Sequence, residues 1–125
     1  MTIQAALDMA DQLKPNMMGR AAKIIFLNEI EGMIHEELIM RHEHTAEEET
    51  RPEYDTDTDE TTELIIPSPY DMLYVYWIMS KIDLLNQELD KYNNDRALFE
   101  NGYQQAADWI NRTRMPISRV REIMI

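Results

Sequence analysis

Three short strings carry residues that could do chemistry. His35-Glu36-Glu37 has the opening letters of a zinc-protease helix. That chemistry needs a second histidine four positions on, facing the same ion, and Ile39 stands there. Asp55-Thr56-Asp57-Thr58-Asp59 alternates acids as a calcium loop does. Such a loop turns on a glycine at its sixth position and closes with a glutamate at its twelfth, where this chain has Glu60 and Ile66. His35, His42 and His44, with Glu31 and Glu43, are the remaining metal-ligating types. A di-iron bundle repeats Glu-x-x-His on two helices, and neither Glu31 to His35 nor Glu37 to His42 has that spacing. The expectation is therefore exposed histidines at a fraying helix end, with no metal and no cofactor.

The chain has no cysteine, which removes thiolate nucleophiles, thiolate metal sites and disulfides. It has no glycine-rich phosphate loop and no Ser-His-Asp pattern, so it reads as a non-enzyme. The longest apolar run, Met72 to Met79, is far short of the roughly 20 residues a membrane span needs. The first residues, MTIQAALDMADQLK, lack a signal peptide's basic start and apolar centre. The expectation is a chain that is neither exported nor membrane-bound. The sequon Asn111-Arg112-Thr113 then carries no weight.

Charge is unevenly placed. The net charge is -12, yet residues 42–63 alone hold ten Asp and Glu against one Arg. The end reverses sign, with Arg112, Arg114, Arg119 and Arg121 facing the single acid Glu122. Acid in the middle and base at the end suits oriented contacts. It does not suit gripping nucleic acid along one face, which takes a basic stripe.

The elements that position these charges read as helices. Thr2 caps a first helix over 3–13, with Ile3, Leu7, Ala10 and Leu13 on one side, and Pro15 stops it. A second, 19–41, carries Ile24, Leu27, Ile30, Ile34 and Leu38 on one stripe. Gly32 inside it is either a tolerated defect or, as we expect, a point of close approach by a neighbouring helix.

A third helix is expected over 69–92, with Ser68 as cap and Pro69 in its first turn. Its early turns are apolar all round, which means burial in the monomer core or one side covered by another subunit. The candidate subunit-interface residues are Met72, Leu73, Tyr76, Trp77 and Arg96. A stripe of Ile82, Leu85, Leu89, Tyr92, Arg96, Phe99, Tyr103, Ala106 and Ile110 continues downstream. One helix from 69 to 113 would be about 65 Å long, too long for so small a body. A break at Asn93-Asn94 is expected, giving a fourth helix over 95–113.

The architecture is thus all-α, a bundle of about four helices, with residues 42–66 as a long acidic arm. Glu63 to Ile66 and Thr50 to Tyr54 suggest a β-hairpin with its charges at the tip. Glu47, Glu48, Glu49, Glu53, Asp55, Asp57, Asp59 and Glu60 supply those charges. Residues 1–113 form the domain and 114–125 a docking arm. Met115, Pro116, Ile117, Arg119, Val120, Arg121, Ile123, Met124 and Ile125 mix apolar anchors with arginines that can reach carboxylates. Among the methionines, Met33, Met72 and Met79 fit a core, while Met17, Met18, Met115 and Met124 fit adaptable contact surface.

The order of these strings is telling: a first helix ending in KPN, then LNEIEGMI, a polar arm, IIPSPYDMLYVYWIMSKIDLLNQELDKYNND, and FENGYQQAADWINRTRMP. It resembles the small helical head–tail connector, or adaptor, proteins of tailed bacteriophages. The resemblance implies a structural virion protein of the neck, assembled in the host cytoplasm. Copies would form a ring, typically twelve-fold, beneath the portal protein of a filled capsid. The ring extends the DNA channel, lets genomic DNA pass without specific binding, and offers a platform to the next tail or stopper component. The family's C-terminal segment commonly reaches onto the portal, which here is Met115 to Ile125. In such a ring the acidic arm would line the channel, where carboxylates repel phosphate, or hang at the rim facing the tail.

Two other classes fit parts of the pattern. An acidic DNA mimic that inhibits a host nuclease would spread its charges over the body, whereas these crowd one loop. A dimeric helical interaction module would bury the apolar third helix against a second copy.

Overall fold

The third helix organises everything else. In the computed structural model, which describes residues 1–117, the α-helices are α1 (Ile3–Leu13), α2 (Arg20–Ile34), α3 (Met72–Leu85) and α4 (Leu89–Thr113). α3 packs on each of the other three. That is why its sequence is apolar all round: Leu73, Tyr74, Val75, Trp77, Ile78, Met79 and Ile82 are all buried within one chain. The molecule is a small all-α bundle, with no strand among the described residues.

α1 begins as its cap predicts, with the Ala5 amide donating to Thr2 Oγ1 at 3.1 Å. Ile3, Ala6, Leu7 and Ala10 face the core, while Leu13 is 54% exposed. α2 buries Ile24, Leu27, Ile30 and Ile34 and runs on through a π-helical turn, His35–Ile39, close to the expected end at 41. Gly32 does mark a close approach, but by the Arg51 side chain of the arm rather than by a helix.

The α3–α4 boundary differs from expectation. Asn93 and Asn94 lie inside α4, and the chain turns instead at Asn86-Gln87-Glu88. Gln87 takes a left-handed φ of 60°. The Glu88 amide donates to Asp83 O at 2.9 Å and the Gln87 amide to Leu84 O at 3.1 Å. These two bonds satisfy the last carbonyls of α3 in the manner of a Schellman cap, with glutamine where glycine is usual. The apolar stripe does not cross this turn unbroken: Leu85 and Leu89 are 60% and 62% exposed. Arg96 needs no break to explain it, because its guanidinium lies 5.0 Å from the Trp77 ring and 5.2 Å from the Phe99 ring.

The start of α3 also shifts. Pro69 follows a cis peptide and sits in a turn closed by Tyr70 N donating to Pro67 O, so helix begins only at Met72.

The expected β-hairpin does not form. The Glu63 end of the arm pairs with the chain start: Ile3 N donates to Thr62 O and Leu64 N to Met1 O. Its supposed partner goes to α2, where Asn28 clamps Tyr54 from both sides, accepting from the Tyr54 amide at 2.9 Å and donating to its carbonyl at 2.7 Å. One side-chain amide thereby does the work that a neighbouring strand would have done.

Candidate functional site

The acidic arm is a folded loop held by one buried carboxylate. Glu31, on the inner face of α2, is fully buried. Its Oε2 accepts from Tyr54 Oη at 2.8 Å and from the Ile65 amide at 3.0 Å. Its Oε1 accepts from Tyr74 Oη at 2.6 Å, and that hydroxyl accepts in turn from the Ile66 amide at 2.9 Å. The middle of the arm, at Tyr54, and its far end, at Ile65 and Ile66, are thus tied to α2 and α3 around one side chain. Burial raises the Glu31 carboxyl above its ordinary range, although the hydroxyls and the amide favour the ion. Burial and that neighbouring carboxylate push the Tyr54 and Tyr74 hydroxyls far up, so both remain donors.

The three histidines brace the arm rather than fray. His35 and His42 are 6% exposed. His35 Nε2 donates to Glu48 O at 2.7 Å, and His42 Nδ1 donates to Leu38 O at 2.6 Å while its Nε2 meets the Asn111 side chain at 2.7 Å. His44 donates to His42 O at 2.6 Å and meets Glu49 Oε1 at 2.7 Å. The His42 carbonyl first, and the Glu49 carboxylate after it, raise the His44 imidazole. The expectation of exposed histidines fails because the arm folds back over the end of α2. No group of three or more His, Asp or Glu among the described residues is arranged to hold a metal ion, and no described helix is long and apolar enough to cross a membrane.

The arm's acids divide by what they touch. Asp55 Oδ1 accepts from the Asp57 amide at 2.8 Å, and Asp59 Oδ1 from the Thr61 amide at 2.9 Å. The alternation of Asp and Thr is therefore partly turn chemistry. Glu60 pairs with Arg20 at 3.3 Å. Glu47, Glu53 and Asp57 stand in water. Glu48 is gripped by Arg114, which holds its carboxyl down to about 2.

That grip joins the arm to the C-terminal segment. Beyond α4, the Glu43 amide donates to Met115 O at 2.8 Å and the Ile117 amide to Arg41 O at 2.9 Å, with His42 paired to Pro116. Met115 and Ile117 are 66% and 45% exposed. Arg119, Val120, Arg121, Ile123, Met124 and Ile125 lie outside the described residues. A cavity of about 180 Å³, lined mainly by apolar surface from Ile39, Pro52 and Ile65, opens beside Glu47 and Glu48.

The candidate interface residues do not form one patch. Leu73 and Trp77 are spent in the core, with Trp77 Nε1 donating to Phe26 O at 2.9 Å. Arg96 covers Trp77. Met72 and Tyr76 are half-buried and line an open groove between α3 and α4, with Tyr70, Leu98 and Gly102.

Sequence reasoning missed two features. Glu31 was legible as the residue four after Leu27, on the inward stripe. Lys14, at the end of α1, reaches Asp83 of α3 and Asp95 of α4, the latter at 2.8 Å. Burial, then the neighbouring Asp95, raises the Asp83 carboxyl to about 6, against the pull of Lys14. For Lys14, burial lowers the ammonium's pKa and the two carboxylates outweigh it, leaving it raised. Asp83 beside Ile82 in an apolar helix was the available signal.

The fold and this site define a small helical bundle with an anchored acidic loop and a C-terminal segment leaving from that loop's root. The chain matches no family model, no curated protein and no solved structure.

Proposed function

We propose that this chain is a structural subunit of the neck of a tailed bacteriophage, forming a ring that joins the portal protein to the next tail or stopper component. The strings quoted above carry the resemblance. The structural observation that best supports the reading is the common root of arm and tail. Arg114 holds Glu48, and Met115 and Ile117 pair with Glu43 and Arg41. A tail that leaves from a fixed point, carrying apolar residues and arginines, is suited to docking on a partner in one orientation. The arm beside it, braced by Glu31 and the histidines, presents Glu47, Glu53 and Asp57 to the rim, where they repel DNA phosphate and await the next component.

The test is binding of the full chain to portal-bearing, DNA-filled heads that lack neck proteins. Association and retention of DNA are expected, and both should disappear when residues 116–125 are deleted. A full-length chain that sediments apart from such heads overturns the reading. Displacement of DNA from a nuclease by the chain would favour an acidic mimic instead.

A further inference from the structure

The cavity beside the root of the tail is chemically one-sided. Ile39, Pro52 and Ile65 give it mainly apolar walls and a volume of about 180 Å³. Two of its polar wall groups satisfy each other, since His35 Nε2 donates to Glu48 O at 2.7 Å. The seat therefore asks for bulk rather than for hydrogen bonds. Apolar cavities of about 150 Å³ take up a benzene-sized group. This one fits a single large aliphatic side chain and is too small for a helix.

The tail leaves in its direction. The Glu43 amide donates to Met115 O and the Ile117 amide to Arg41 O, so residues 115–117 run antiparallel to residues 41–43. The next residues are thereby launched back toward the end of α2, where Ile39 is two residues from Arg41 and lines the cavity. Glu48 fixes the root from the other side, because it lines the cavity and is gripped by Arg114. The six residues from Ile117 to Ile123 can span about 20 Å when extended, ample for so short a crossing.

Charge agrees with this course. Residues 118–125 read SRVREIMI. In an extended chain alternate residues share a face, which groups Arg119, Arg121 and Ile123 and turns Val120 and Met124 the other way. Arg114 already holds Glu48, and Glu47 stands exposed on the same rim. Basic residues followed by a large aliphatic one match an acidic rim around an apolar hole.

We propose that Ile123 seats in this cavity of its own chain, with Arg121 against Glu47, so that the tail rests on the body that carries it. The inference goes beyond the neck reading and does not depend on it. Tethering makes so small a contact sufficient, because a short linker holds the segment at an effective concentration in the millimolar range. A partner that captures the tail must take it from the cavity, and in doing so bares Glu47.

The test is paramagnetic broadening in the full chain, which has no native cysteine to compete for a label. A nitroxide is placed at Glu122→Cys, and the isoleucine and leucine methyl groups are isotope-labelled. Broadening is expected at Ile39 and Ile65 and none at Leu89, which lies about 37 Å from Arg114 along α4. Ile123→Ala should lower the seating constant about tenfold, Glu47→Gln should lower it less, and Val120→Ala should leave it nearly unchanged. Undiminished broadening in the Ile123→Ala chain overturns the proposal, as does broadening spread evenly over Leu89 and the arm. Mixing nitroxide-bearing chains with isotope-labelled chains separates the source. Ile39 and Ile65 signals that broaden as strongly in that mixture would put another copy's tail in the cavity and overturn the intramolecular seat.

Discussion

Arg114 and Glu48 are 66 residues apart and meet through two parallel contacts, Nη1 to Oε1 at 3.1 Å and Nη2 to Oε2 at 2.8 Å. The pair is partly screened, with about a quarter to a third of each side chain exposed. Its bidentate geometry and fixed surroundings nonetheless set it above an ordinary surface ion pair. It is the point where arm and tail become one unit.

Arg114→Ala should cost about 1 kcal/mol of stability and speed amide exchange at Thr45 to Glu49. The sign with pH follows from the lowered Glu48 carboxyl, held at about 2. The pair's contribution is whole above the ordinary glutamate range and is lost as pH falls through that value. Acid unfolding of Arg114→Ala should therefore lack the part of the slope that the pair supplies. An unchanged exchange pattern would show that the arm does not depend on it.

Glu31→Ala should be the most damaging single change, costing 3 kcal/mol or more, because it strands two buried hydroxyls and the Ile65 amide. Glu31→Gln keeps an acceptor and should cost less. Chemical denaturation of both, with Tyr54→Phe and Tyr74→Phe in double-mutant cycles, measures the coupling. Additive losses would mean that the three groups do not act together.

Gln87→Gly should stabilise the fold by about 1 kcal/mol, since glycine takes the left-handed φ without strain. Asn93→Ala and Asn94→Ala, inside α4 and exposed, should each stabilise by a few tenths of a kcal/mol through helix propensity. Thermal melts of the three variants check the position of the break. Destabilisation by the alanines and indifference at Gln87 would put it back at 93–94.

Asp83 carries a pH dependence of opposite sense to Glu48. Its folded carboxyl is raised, to about 6. The stability linked to its proton is full below the ordinary aspartate range and is lost as pH rises through 6. Asp83→Asn should flatten the stability profile between pH 4 and 7, measured by urea midpoints at each pH. An Asp83→Asn profile parallel to that of the unaltered chain would assign the slope to other groups.

Much of the fold was readable in the sequence because it rests on local rules. Thr2 capped α1, and the period of Ile24, Leu27 and Ile30 laid down α2. Features made by distant partners were not. The α3–α4 break was misplaced because left-handed turns are usually marked by glycine or asparagine, and Gln87 is neither. The hairpin was wrongly expected because Asn28 supplies from a helix the two bonds a strand would give Tyr54. The histidines read as exposed because their covers depend on the arm folding back, which brings the Glu48 carbonyl to His35, and on α4, which brings Asn111 to His42 from 69 residues away. The candidate site was legible as a charge pattern, while its anchor Glu31, although on the inward stripe of α2, was weighed only as a metal-ligating type.

The two tryptophans offer a further use of the packing. Trp77 is buried, its indole N–H donating to the Phe26 carbonyl and its ring tilted against Phe99, with Lys81 at 4.8 Å from its ring. Trp109 is half-buried and stacks on Tyr70 at 5.6 Å, at the margin of the α3–α4 groove. Native emission from this chain is therefore two signals of separate origin. A Trp109→Phe variant reports only the interior, and the difference spectrum gives a label-free optical readout of whether anything has settled beside Tyr70.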